Sequence, residues 1–287
     1  MSSDLGRTLR VVGAVPLSLM LWVAASQAAA ASDGASKPPA PAASDGAPAP
    51  PAAQEAPTNR SGDVDLSVGG GMIFAPRPYV GASAAVIPIP VVNVRYKKLF
   101  VEGIRGGYQF LQSGQLTANA YLQANFEGLE SADSPDLAGM VNRRMSADAG
   151  AEVVFRARPV GFRFNVLSDV LGRNGGQEVS LQALTGAPLG RGSFLLAGIG
   201  PRWVSATRVD YYYGVSAAEA RAGRPEYRGT SAWNWDLSLG ANIRLTGNWS
   251  LFALFSREAF GDAIENSPVV SGPAAYSMIT SLTYRLR

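Results

Sequence analysis

The chain has 287 residues, 47% hydrophobic and 16% charged, with 25 Lys and Arg against 22 Asp and Glu. A net charge of +3 without a cluster of Lys and Arg is no nucleic-acid footprint, and no nucleic-acid partner is expected. The absence of both Cys and His excludes disulfides, thiolate and imidazole metal sites, and any Ser-His-Asp triad, so no catalytic, cofactor-binding or metal-binding residue is expected.

Residues 1–30 open with Arg7 and Arg10, continue through the apolar run VVGAVPLSLMLWV, and end in the small residues of AASQAAAA. That order predicts a cleaved secretory signal. The competing reading is a membrane anchor, but Pro16 and the Ala-rich second half fall short of the ~20 strongly apolar residues a spanning helix needs. Residues 31–61 repeat ASDGA, carry many prolines and hold no aromatic or large aliphatic residue, which predicts a disordered Pro/Ala-rich linker. It reads as a passive spacer or as a periplasmic contact arm.

From residue 62 the apolar period is two. Val64, Leu66, Val68, Met72 and Phe74 alternate with Asp65, Ser67 and glycines. Leu116 to Phe126, Met145 to Ala157 and Trp233 to Leu245 repeat the pattern. Such runs have one apolar and one polar face. A soluble sandwich would turn the apolar faces inward, and a transmembrane barrel would turn them to lipid. Several runs exceed the usual strand of ~5–6 residues and match the ~9–11 of a tilted membrane-spanning strand. Spacers are tight at Lys97-Lys98, Arg158 to Gly161, Pro188 to Arg191 and Thr246 to Asn248, and long at 128–144, 214–229 and 261–273. Short turns on one side and long loops on the other are the habit of outer-membrane barrels, and Trp233, Trp235 and Trp249 stand where an aromatic girdle belongs. The expected fold is therefore an all-β, closed antiparallel transmembrane barrel of 10–12 strands over residues 62–287, bathed in outer-membrane lipid.

Eleven strands are countable, an odd number that a single-chain bacterial barrel does not use. The weak region is 99–127, where Gly103, Gly106, Gly107 and Gly114 blur the pattern. Inward charges are expected at Asp65, Arg95, Glu127, Asp148, Glu152, Arg156, Arg163, Asp169, Asp236, Arg244 and Arg285. Their mixed signs suggest an ion-paired, filled lumen rather than a selective pore. The stretch DYYYGVSAAEARAGRPEYRG (210–229) reads as the end of a long strand followed by an outer loop. In that reading Tyr211 and Tyr213 face headgroups and Tyr212 caps the lumen. Alternatively the tyrosines and Arg221, Arg224 and Arg228 form a ligand or adhesion surface.

That stretch resembles the most recognisable segment of the MipA/OmpV family of MltA-interacting outer-membrane proteins. GGGMIFAPRPYVGASAAVIPIPVVNVRYKKLFVEG, DSPDLAGMVNRRMSADAG and SPVVSGPAAYSMITSLTYRLR carry the resemblance across the body. The family's barrel ends in Tyr-Arg-Phe, where this chain has Tyr284-Arg285-Leu286. The resemblance implies a non-enzymatic envelope scaffold that brings a murein lytic transglycosylase near a bifunctional murein synthase, a penicillin-binding protein, in the periplasm. Other members are associated with adhesion and osmotic response. The alternatives are a narrow outer-membrane pore and an outer-membrane lipid hydrolase, the latter opposed by the missing His.

Overall fold

The computed structural model describes residues 64–75 and 77–286; the signal and linker segments expected at 1–30 and 31–61 lie outside the described residues. Twelve antiparallel strands close into one barrel, each pairing with its neighbours in sequence and β1 with β12. They are β1 (Asp65–Ala75), β2 (Ala85–Tyr96), β3 (Leu99–Glu102), β4 (Arg105–Ser113), β5 (Leu116–Asn125), β6 (Ser146–Phe155), β7 (Gly161–Asp169), β8 (Gln177–Gly190), β9 (Ser193–Val204), β10 (Ala232–Arg244), β11 (Trp249–Ala259) and β12 (Ala274–Arg285).

The twelfth strand comes from the glycine-rich region. A single strand over 99–111 does not form. The chain instead reverses at Gly103 (φ 58°) and makes the tight hairpin β3–β4, with Glu102 opposite Arg105 and Leu99 opposite Tyr108. Glycine takes the left-handed backbone that this two-residue turn needs, so the count becomes even.

Alternation places side chains as lipid demands. Leu237 and Leu239 point out and are exposed, whereas Asp236 and Ser238 point in and are buried. Met72, Leu122, Phe162, Leu181 and Ile199 belong to the same outer apolar wall. Trp233 and Trp235 stand exposed at its upper end; Trp249 lies at the lower end with its ring 5.1 Å from that of Tyr284. The connections sort by length as an outer-membrane barrel requires. Lys97-Lys98, 114–115, 156–160, Arg191-Gly192 and 245–248 are short and lie at one end with both termini of the barrel. The loops 76–84, 126–145, 170–176, 205–231 and 260–273 lie at the other. Pro188, Leu189 and Gly190 belong to β8, so the turn there contracts to Arg191-Gly192, both at positive φ.

One long strand is shorter than its pattern suggests. β9 stops at Val204, and 206–213 is the helix α1 (Ala206–Tyr213), not extended chain. The spacing of Val209, Tyr212 and Tyr213 puts three large side chains on one helical face, and all three are buried. A second short helix, α2 (Asp262–Glu265), lies in the β11–β12 loop.

The outward face sets a depth-dependent cost. Leu239 lies midway along β10 on the lipid side, whereas Leu245 stands just past its lower end. Leu239→Arg should destabilise the folded barrel by ~2–4 kcal/mol and Leu245→Arg by ~0–1 kcal/mol. Urea titration of refolding into lipid vesicles checks this; equal costs at the two positions would place the apolar band elsewhere.

Candidate functional site

The lumen is filled, and its filling has three parts. Near the loop end, Arg202 of β9 reaches across to β10 and β11. Its guanidinium donates to both carboxylate oxygens of Asp236 at 2.8–3.0 Å, and it lies 3.3 Å from Glu258 and 3.9 Å from Glu178. Asn234 donates to Glu258 at 2.6 Å. Beside this network stands Arg208, which α1 lowers into the barrel mouth. It meets Asp148 at 3.1 Å, Glu178 at 2.9 Å and Glu127 at 3.8 Å. Two arginines thus gather five carboxylates from the wall and the β5–β6 loop.

Deeper, on the β2–β7 side, Arg105 is held by Glu102 at 3.0 Å and Glu152 at 3.6 Å. Its guanidinium is wedged between the rings of Phe100 and Tyr121, at 5.1 and 4.6 Å. Gly150 makes room for this stack, because a Cβ there would lie 2.4 Å from the Tyr121 ring. Asn119 donates to Glu152 at 2.7 Å, Tyr121 donates to Asn165 at 2.6 Å, and Arg163 lies 3.8 Å from Glu152. Buried charges survive only when paired and hydrogen-bonded, because each ion loses several kcal/mol of hydration. A lumen built this way leaves few charges for a passing ion.

The third part departs from the polar-in rule. Ile73, Ile89, Leu196, Phe252, Leu254 and Ile279 all point inward and form one apolar cluster on the other side of the lumen. The inward faces of β1, β2, β9, β11 and β12 are therefore apolar in their middle portions.

Above the mouth the loops form a lid with its own core. Tyr79, Leu129, Leu137, Met140, Val209, Tyr212, Tyr213 and Ile264 pack together there. The loops are also stitched by backbone and side-chain bonds. The Arg224 guanidinium donates to the carbonyls of Asp136, Ala138 and Glu219, and that of Arg221 to Pro135 and Asp136. Ser267 donates to the Tyr213 carbonyl at 2.6 Å. Burial opposes ionisation of Glu219, but the N–H groups of Ser216 and Val141, the Ser216 hydroxyl and Arg143 hold its carboxyl down at about 2. These contacts correct two expectations. Tyr213 is no headgroup anchor; it is buried and donates to Glu127 at 2.9 Å. Arg221 and Arg224 bind neighbouring loops; Arg224 is buried, whereas Arg221 and Arg228 are exposed.

All eleven inward charges expected from alternation stand at inward or mouth positions. Arg156 donates to the buried Thr117, Arg244 lines the lower mouth and Arg285 meets Asp65 at 3.1 Å. The organising residues Glu102, Arg105, Glu178, Arg202, Arg208 and Glu258 were not on that list. Glu258 alternates with Ala259 and Phe255 in a run whose faces are legible, and Arg208 requires the helix.

The turn end differs in charge. Lys97, Lys98, Arg158 and Arg191 are exposed on three of the five turns, and among the described residues no acid stands on any of those three. A cavity of about 80 Å³ opens at the same end, lined by Asp65, Asn93, Arg95, Glu102, Arg244 and Arg285 among others.

A family model described as "MltA-interacting protein MipA" matches residues 68–286. The MltA-interacting protein of Escherichia coli (strain K12) is 26% identical over 223 residues, covering 77% of this chain and 90% of that protein. A relative in Escherichia coli O157:H7 named for the outer membrane, YiaT, is 26% identical over 226 residues, covering 77% and 91%. Among solved structures, an outer-membrane channel of Pseudomonas putida F1 aligns over 81% of this chain and 100% of that one, at 10% identity and a TM-score of 0.41.

Glu127 links lid and lumen through Tyr213 and Arg208. Burial pushes its carboxyl up to about 7, with Arg208 opposing. A carboxyl whose folded pKa is raised binds more protons folded than unfolded, so the lid loses stability as pH rises from about 4.5 to about 7. The change is on the order of 3 kcal/mol. Amide exchange in 205–214, corrected for intrinsic rates, should be faster at pH 8 than at pH 5, and Glu127→Gln should abolish the difference. An unchanged pH dependence in that variant would remove Glu127 from this role.

Proposed function

Since the chain belongs to the MipA family and sits in the outer membrane, we propose that it is a non-enzymatic envelope scaffold that docks a murein lytic transglycosylase at its periplasmic rim. One observation carries this reading: the lumen is occupied by paired charges and capped by the lid, while the turn end presents Lys97, Lys98, Arg158 and Arg191 on turns that hold no acid among the described residues. Unneutralised cations on short turns cost little in water and favour an acidic partner surface through fast, salt-sensitive association. The same rim would hold the enzyme within reach of a penicillin-binding murein synthase.

In this reading residues 1–30 are an export signal, removed on secretion. Residues 31–61 are a Pro/Ala tether that leaves from the same rim, because β1 begins there. At ~3.1 Å per residue, about thirty residues reach at most roughly 90 Å toward the murein layer.

The test uses the mature chain in lipid nanodiscs and purified lytic transglycosylase MltA. Native protein should bind with an affinity that falls as salt rises. Reversal of Lys97, Lys98, Arg158 and Arg191 to Glu should weaken binding at least about tenfold at low salt. Removal of 31–60 measures what the tether adds. Equal affinity of native and reversed proteins would reject the rim as the docking face.

A further inference from the structure

Among the described residues, the hydrogen-bonded wall has a long interruption beside β2. β3 contributes only four residues, opposite Asn93 to Tyr96 of β2. The last backbone bond on that side runs from Gly103 N–H to the Val92 carbonyl at 3.0 Å. Above it β2 continues to Ala85 paired with β1 alone, among the described residues. Groups two residues apart along a strand point to the same edge, so Val86, Pro88 and Pro90 face the unpaired side together with Val92. Prolines stand at two of these three positions, where an N–H would otherwise be orphaned in hydrocarbon. Register sets the depth: Val86 lies beside Phe74, which lies beside Met278, and Pro88 lies beside Met72, all on the exposed outer face. The edge thus lies within the lipid-facing wall.

The β2 side of the gap is apolar. Inward, Ile87 and Ile89 lead to the apolar half of the lumen. The far side is the end of β5, where Ile104 accepts from Ala124 N–H. Phe126, two residues on, packs against the inner apolar cluster, as Ala85 and Ile87 do, beyond the level at which β3 and β4 turn back. This corrects the reading of Phe126 as one more lipid-facing residue. The polar chemistry of the edge is unbalanced: the carbonyls of Val86, Pro88 and Pro90 face one N–H, that of Val86. Unpaired acceptors in an apolar setting call for a donor on an otherwise apolar molecule.

We propose that this gap is a lateral binding site for a hydroxyl-bearing acyl chain drawn from the surrounding membrane, with Phe126 as its stopper. The chain's methylenes would lie against Ile87 and Ile89, and its hydroxyl would donate to the proline carbonyls.

The chain has no native Cys, so Ile89→Cys gives a single inward reporter beside the gap. In nanodiscs, N-ethylmaleimide should alkylate it slowly. Adding Phe126→Ala should raise that rate at least tenfold, and Phe126→Trp should lower it. Added 3-hydroxytetradecanoic acid should protect the cysteine in a saturable way, and better than tetradecanoic acid by about three- to tenfold, the worth of one hydrogen bond. A heat-dependent gel shift confirms that each variant is folded, and Phe126→Trp keeps the test alive if Phe126→Ala does not fold. Equal rates in all folded variants, or equal protection by both acids, would overturn the proposal. Protection that follows protein concentration instead of added acid would assign the edge to a second copy of the chain, and would also overturn it. None of these readouts involves the transglycosylase, so the scaffold reading stands or falls separately.

Discussion

A backbone amide left without a partner in hydrocarbon costs several kcal/mol, and a sheet meets that demand only by closing on itself. Most features of this molecule follow from that constraint. The alternating runs present apolar side chains to lipid because the closed wall has no other outer solvent. The β3–β4 hairpin supplies the even strand number that brings β1 back beside β12 in antiparallel register. Where the ladder lapses beside the upper half of β2, Pro88 and Pro90 remove two of the amides that would need partners.

Closure creates a second problem, because twelve strands enclose space that must be filled. Two solutions stand side by side. On the β2–β7 side and near the mouth, arginines gather carboxylates into shared networks around Arg105, Arg202 and Arg208. Across from them, Ile, Leu and Phe side chains pack as in a soluble core. The lid extends that packing above the wall, and Arg208 joins the two by reaching from a lid helix to Asp148 and Glu178. Lid order and lumen charge are consequently one system, with Glu127 at the joint.

The wall was legible in the amino-acid order because period-two alternation is local. Strand positions, the two classes of connection and the inward charges all rest on it. What failed had a different period or a distant cause. The run from Trp203 to Tyr213 satisfies a two-residue pattern, yet Val209, Tyr212 and Tyr213 also satisfy a helical one. Ser205 before them offered a stop signal that alternation ignores. The missing strand hid behind Gly103, whose turn needs no long spacer. The pairing of Arg202 with Asp236, Glu258 and Glu178 depends on strands that meet only after closure. The inward apolar cluster was invisible because alternation distinguishes two faces but does not say that one must be polar.

The central claim is that this barrel is sealed along its axis and works through its surfaces. Planar-bilayer recording of the purified, folded mature chain tests it most directly. The expected result is a membrane that stays electrically silent at moderate voltage, without stable unitary steps, because buried ion pairs and the lid occupy the path. Reproducible large unitary currents from the native protein would contradict the account.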